Sequence, residues 1–246
     1  MRGGGGVRAG SRSGARFEGS IRVKTMNLDL SLAPEIAAKV RLGVLVLGGV
    51  TVKDADPALA AEVDGACAEL RARYGDVKSA EVPGAADART LYKALGMDPT
   101  KTRPSNEALL RRALKGEPLY RINTLVDALN LSSLRAQLPF GLYDLDQVRP
   151  PVVLRRGAAG ESYEGIRKGP VHVEGRPVLV DATGPFGNPT SDSTRTMITT
   201  ATTNALVVVY APAGYAPARL GAVLDATSAT LIRYCGGTEA LRKTLA

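Results

Sequence analysis

A search of the sequence for chemistry begins with what is scarce. The chain carries one histidine, His172, and two distant cysteines, Cys67 and Cys235. Any nucleophile–histidine pair would depend on His172, which stands in a Val-His-Val alternation that reads as a strand residue rather than a base. Two isolated cysteines with one histidine exclude a zinc site of the usual spacing and make a disulfide-stapled scaffold a poor fit. Neither a Walker-type phosphate loop, nor G-x-G-x-x-G after a strand, nor H-E-x-x-H, nor G-x-S-x-G is present. No cofactor is expected.

What remains is polar residues in apolar surroundings. Asn130 lies four residues from both Val126 and Leu134, so one helix face packs apolar side chains and also carries an amide. A buried amide must find partners. Asn130 either satisfies the backbone of a neighbouring loop or faces a ligand. A second cluster, Asp192-Ser193-Thr194-Arg195-Thr196 followed by Thr199, Thr200, Thr202, Thr203 and Asn204, either lines a polar pocket or forms a solvated loop with caps and turns.

The elements that must position these groups can be read from patterning. Pro34 to Val40 reads as a short helix and Leu42 to Val52 as a buried strand. Asp56-Pro57 starts a helix whose Leu59, Val63, Ala66 and Leu70 share one face, and Gly75 ends it. Further helices are expected over Ala86–Leu95, over Asn106–Lys115 with Ser105 as N-cap, and from about Asn123 to Gln137. From Pro151 onward come β-rich runs at 152–154, 163–166, 171–173, 178–181 and 205–210, with a tight turn at Glu174-Gly175. A last helix covers Pro217–Tyr234. The expected class is α+β, with a helical block on a mixed or antiparallel sheet.

Composition narrows the field further. With 44% hydrophobic and 23% charged residues, the chain resembles an ordinary globular protein and no fibrous or disordered one. Its longest apolar run, around Val44–Val52, is far short of the roughly 20 residues that cross a bilayer. No membrane association and a cytoplasmic location are expected. Much of the formal charge of +8 sits in residues 1–25, where Arg2, Arg8, Arg12, Arg16, Arg22 and Lys24 face Glu18 alone. These residues are expected to be a disordered basic tail, with Met26 as an alternative initiator, ahead of one domain over 26–246.

Several motifs in order carry a family resemblance. Leu125-Val126-Asp127-Ala128-Leu129-Asn130, then Leu138-Pro139-Phe140-Gly141-Leu142-Tyr143-Asp144, is similar to a V-V-D-x-T-N helix followed by G-Q-P-[LM]-H-A-F-D. That pattern belongs to the B3/B4 domain of the phenylalanyl-tRNA synthetase beta subunit. Upstream, Arg89-Thr90-Leu91-Tyr92-Lys93-Ala94-Leu95-Gly96-Met97-Asp98-Pro99 and the stretch from Arg103-Pro104-Ser105 to Arg112 resemble R-x-x-Y-x-x-L-G-x-D-P and R-P-S-x-E-A-L-L-R-R of free-standing B3/B4 proteins. The resemblance spans roughly Leu42 to Ala211.

It implies a domain that hydrolyses wrongly attached aminoacyl-tRNA, with tRNA or aminoacyl-tRNA as partner. The alternative is a non-catalytic module that keeps the pocket for an amino acid or other small molecule. Carried over by position, the family's pocket Asn falls on Asn130 and its Pro on Pro139, while its Thr becomes Leu129 and its His becomes Gly141. Gly184–Ser193 occupies the region of the family's G-G-E-x-S loop. The substrate- or tRNA-binding candidates are therefore Asn130, Pro139, Gly141 and Asn123, joined by Arg103 and Ser105 upstream and by Asp192, Thr194 and Arg195 downstream. No residue is assigned as catalytic, and the oligomeric state is left open.

Overall fold

A computed structural model describes residues 28–246, so the basic stretch 1–25 lies outside the described residues. The elements follow the order β1 (Leu30–Leu32), α1 (Pro34–Ala37), β2 (Val40–Gly48), α2 (Pro57–Tyr74), α3 (Ala85–Ala94), α4 (Ser105–Leu114), α5 (Thr124–Ala136) and β3 (Phe140–Asp144). Then come β4 (Val152–Arg156), β5 (Ser162–Gly165), β6 (Gly169–His172), β7 (Pro177–Asp181), β8 (Gly184–Gly187), β9 (Asn204–Pro212), α6 (Pro217–Cys235) and β10 (Thr238–Leu245). No helix among the described residues is long and apolar enough to cross a membrane.

Strands apolar on both faces decide the architecture. β2 and β9 pair antiparallel from Val40↔Pro212 to Gly48↔Asn204, at the centre of a sheet ordered β10-β2-β9-β3. Because side chains alternate, Leu45, Leu47, Val207 and Val209 point to one side, where α2, α4, α5 and α6 supply Leu59, Leu110, Leu125, Leu134, Leu220 and Leu224. Leu42, Val44, Val46, Leu206, Val208 and Tyr210 point to the other side, onto Leu30, Ile36, Val152, Leu154, Leu179 and Phe186. That second side is a mixed sheet ordered β1-β4-β7-β8, with β1 parallel to β4 and the remaining pairs antiparallel. The result is α+β, as the sequence indicated: helices, antiparallel sheet, mixed sheet. Each fully buried Val or Leu of β2 contributes about 1.5–3 kcal/mol, so the long run that reads as one strand anchors two cores at once.

Local signals account for most boundaries. Asp56 caps α2 by accepting from the Ala58 and Leu59 amides, and Asn123 caps α5 by accepting from Val126 N at 3.0 Å. The Asp127 carboxylate reaches back to Ile122 N at 3.0 Å, closing the same helix start. At Glu174-Gly175, Arg176 N donates to Val173 O at 2.9 Å and Gly175 adopts φ +67°, the turn expected there.

Four expectations change. The helix expected over Pro34 to Val40 stops at Ala37, and Val40 opens β2 by pairing with Pro212. β2 ends at Gly48, not Val52, because Gly49 turns at φ +71°. α4 starts at Ser105 itself, with Pro104 in the capping position, because the Ser105 hydroxyl is committed to the Pro189 carbonyl at 3.1 Å. Sequence patterning assigns no strand to Phe140–Asp144, Gly184–Gly187 or Thr238–Leu245, which form β3, β8 and β10.

Candidate functional site

The loop between β8 and the 3-10 turn Thr194–Thr196 is held from several elements. Asn188 Oδ1 accepts from the amides of Thr190 and Ser191 at 2.8 and 2.9 Å, which fixes the turn. Tyr92 of α3 donates to Pro189 O at 2.9 Å and lies 3.0 Å from Thr190 Oγ1. Tyr163 of β5 donates to Ser191 O at 2.5 Å, and Lys168, in the β5–β6 turn, donates to Ser191 Oγ at 3.0 Å. Together with Ser105 these contacts place the loop opposite α5.

Between them opens a cleft of about 700 Å³, within the range of small-ligand sites. Val126, Leu129, Phe140, Leu142 and Met197 make its apolar wall. Asn130, Ser105, Asn188, Asp192 and Thr194 supply polar groups, and Arg167 and Lys168 bring positive charge to one side.

Asp192 is the most perturbed group of the cleft. Although the residue keeps some exposure, its Oδ1 is sealed from solvent and has no hydrogen-bond partner among the described residues. Burial pushes its carboxyl up to about 7, against the opposing pull of the Tyr143 hydroxyl, the Leu142 N–H and the Lys168 charge. Behind it, the Tyr143 and Tyr210 hydroxyls lie 3.4 Å apart, and burial raises both phenols well above their ordinary value. Tyr143 also meets Phe186 edge-on, with ring centroids 5.0 Å apart.

Of the residues singled out by sequence, Asn130, Ser105, Asp192 and Thr194 meet at the cleft. The others do not line it. Pro139 is buried and gives its carbonyl to Tyr210 N at 3.0 Å. Asn123 is the cap of α5. Arg103 is an exposed side chain 4.0 Å from Glu107. Arg195 makes a two-pronged pair with the buried Asp181, both contacts at 3.0 Å, and also donates to Gln147 O. Gly141 follows the strand alternation away from the cleft, toward Tyr143; a Cβ there would sit 2.3 Å from the Tyr143 hydroxyl. His172 ends the exposed strand β6, paired with Ser162.

Sequence reasoning missed the tyrosines. Four of the chain's eight, at 92, 143, 163 and 210, converge on the Asp192 loop or back it. One signal was available: Tyr143 adds a hydroxyl where the similar motif has Phe.

Compared with known families, the chain matches the B3/4 domain over residues 87–236, a span that takes in every residue lining the cleft. The chain belongs to the B3/4 domain family. Among solved structures, an N-terminal fragment of the phenylalanyl-tRNA synthetase beta subunit from Pyrococcus horikoshii is similar at 14% identity and a TM-score of 0.44, over 89% of this chain and 54% of that one. The chain thus spans about half the length of that fragment. No curated protein matches it. Within the B3/4 span the cleft draws on α4, α5, β3, the β5–β6 turn and the Asp192 loop, whereas β2 and α2 lie before residue 87 and supply packing.

Proposed function

We propose that this B3/4 domain is a trans-acting hydrolase of aminoacyl-tRNA, cleaving the ester that joins an amino acid to the terminal ribose. The observation that carries the reading is Asp192, a carboxyl raised to about 7 on the wall of a cleft of about 700 Å³, room for an amino acid together with part of the nucleoside it is joined to. A general base works best when its pKa lies near the operating pH, and Asp192 meets that condition without a histidine.

In this reading Asp192 takes a proton from a water as the water oxygen attacks the ester carbonyl. The Asn130 amide, on the same cleft, donates to the developing oxyanion. As the ester C–O bond breaks, the ribose oxygen leaves with the proton, and the products are the free amino acid and the ribose hydroxyl. The vicinal ribose hydroxyl assists as an internal donor. The apolar wall of Val126, Leu129 and Phe140 accepts the amino-acid side chain, and Arg167 and Lys168 lie where phosphate of the terminal nucleotide would pass.

A panel of purified aminoacyl-tRNAs incubated with the full chain tests the proposal. Release of one or a few amino acids, lost in Asp192→Asn, is the expected outcome. If no aminoacyl-tRNA is hydrolysed above background, the reading fails. A non-catalytic binding module has one observation in its favour: the position that the family motif gives to His is here Gly141, with no room for a side chain. Retained binding of an amino acid with no hydrolysis would identify that case.

A further inference from the structure

Two depressions adjoin at the C-terminal ends of α2 and α4, sharing Gly75, Val77 and Leu114 in their walls, with volumes of about 430 and 320 Å³. Five cations line them, Arg71, Arg73, Lys78, Arg111 and Lys115, against the single carboxylate Asp76. All five are exposed. Elsewhere on the helical layer, Arg121, Arg135, Arg219 and Arg233 each have a carboxylate within 3.4 Å. Here, among the described residues, only Lys115 has one, Glu117 at 3.7 Å. Cations at the last turn of a helix complement its carbonyl end, but that does not account for Lys78, which lies outside either helix.

The groove connects with the cleft in two ways. α4 runs from Ser105 at the cleft to Leu114 at the groove, a distance of about 15 Å for its ten residues. The chain then returns from Gly116 to Ile122, which lines the cleft. On that return Tyr120 is 68% exposed, and the Arg112 guanidinium, held by the Pro118 carbonyl, lies 4.3 Å from the ring centroid. An exposed aromatic ring braced by arginine, between a basic groove and a small-ligand cleft, is what an unpaired nucleotide stacks on.

We infer that the α2/α4 groove is a docking surface for the phosphodiester backbone of an RNA, with Tyr120 a stacking platform for the single-stranded end that leads toward the cleft. This deepens the hydrolase reading and rests on it for the direction of the strand. Phosphates placed in the groove would be met by four cations with no carboxylate partner among the described residues, Arg71, Arg73, Lys78 and Arg111, and binding would release condensed counterions in proportion to the contacts made.

The test uses the full chain and an RNA hairpin bearing a short 3′ single strand, with binding followed by fluorescence anisotropy over a salt series. Combined Arg71→Ala, Lys78→Ala and Arg111→Ala should weaken binding about tenfold or more and reduce the slope of log Kd against log salt by about two to three. Hydrolysis of a minimal aminoacyl ester of adenosine, which has no phosphodiester, should be unchanged by the three substitutions. Tyr120→Ala should abolish preference for the overhang over a blunt duplex. Unchanged affinity and slope in the triple variant would overturn the groove, as would displacement of the RNA by polyglutamate as efficient as by unlabelled RNA. Retained overhang preference in Tyr120→Ala would overturn the stacking platform. If neither protein hydrolyses the minimal ester while the triple variant still loses RNA affinity, the hydrolase reading fails and the groove stands.

Discussion

Replacing the Asp192 carboxyl by an amide should separate activity from stability. Wild-type hydrolysis should rise with pH, reach half its plateau near 7, where half of the carboxyl is ionised, and level off above that. Asp192→Asn should lose about 10²–10⁴-fold of the rate together with that profile, which single-turnover kinetics between pH 5 and 8.5 would reveal. Stability should move the other way. The folded-state value of Asp192 is raised from an ordinary 3.8 to about 7, so on raising the pH the unfolded chain gives up this proton first. Its contribution to folding therefore weakens between pH 4 and 7. Asp192→Asn should melt higher than wild type at pH 8, with the gain shrinking toward pH 4. A lower melting temperature for the variant at pH 8 would mean that the carboxylate is held by partners that offset its burial. At Gly141 the expectation is steric: Gly141→Ala puts a methyl 2.3 Å from the Tyr143 hydroxyl, at a cost of about 1–3 kcal/mol, measurable as a lowered denaturation midpoint. The Tyr143→Phe background should recover part of it.

Between elements, the loop that carries Asp192 and the α3–α4 joint respond to different substitutions. Glu107 of α4 is buried and accepts from Arg89 Nε at 2.8 Å, from Arg89 Nη2 at 3.0 Å and from Ser79 Oγ at 3.0 Å. Glu107→Ala leaves the Arg89 guanidinium without its carboxylate and should cost about 3–5 kcal/mol, seen in urea titration. Tyr92→Phe removes only a hydroxyl, but one that donates to Pro189 O. Its cost should be about 1–3 kcal/mol, and hydrogen exchange at Thr190 and Ser191 should quicken while the core strands stay protected. These joints also explain what the sequence could tell. Helices with caps and one apolar face, such as α2 and α5, were legible because their signals are local. β3 was not, since Phe140, Gly141 and Leu142 become a strand only by pairing with Val209, Val208 and Val207. β10 was hidden similarly, as a charged segment, Glu239 to Lys243, whose strand character comes from lying along β2. In the site, Asn130 and the Asp192 cluster were visible as misplaced polarity. The tyrosines were not, because Tyr92, Tyr143, Tyr163 and Tyr210 are distant in sequence and meet through tertiary structure alone.

On the scale of the whole molecule, the helical layer carries the basic groove and the cleft opens where that layer meets the Asp192 loop. Residues 1–25, rich in glycine with few apolar side chains, are proposed to add only charge. Deleting them should leave the melting temperature unchanged, with a modest reduction in the salt dependence of RNA binding; a markedly lower midpoint would show that they pack on the domain. The strand order β10-β2-β9-β3 carries a further implication, for synthesis. β2 ends at Gly48, and its first sheet partner in the finished fold begins at Asn204. At about 5–20 residues per second, a ribosome takes on the order of 10–30 s to cover that interval. Throughout it, a strand apolar on both faces has neither neighbour. Nascent chains arrested before Pro212 should therefore be held by chaperones or lost to aggregation; chains that pass it can cover one edge of β2 with β9, and only those released beyond Leu245 can close the other edge with β10.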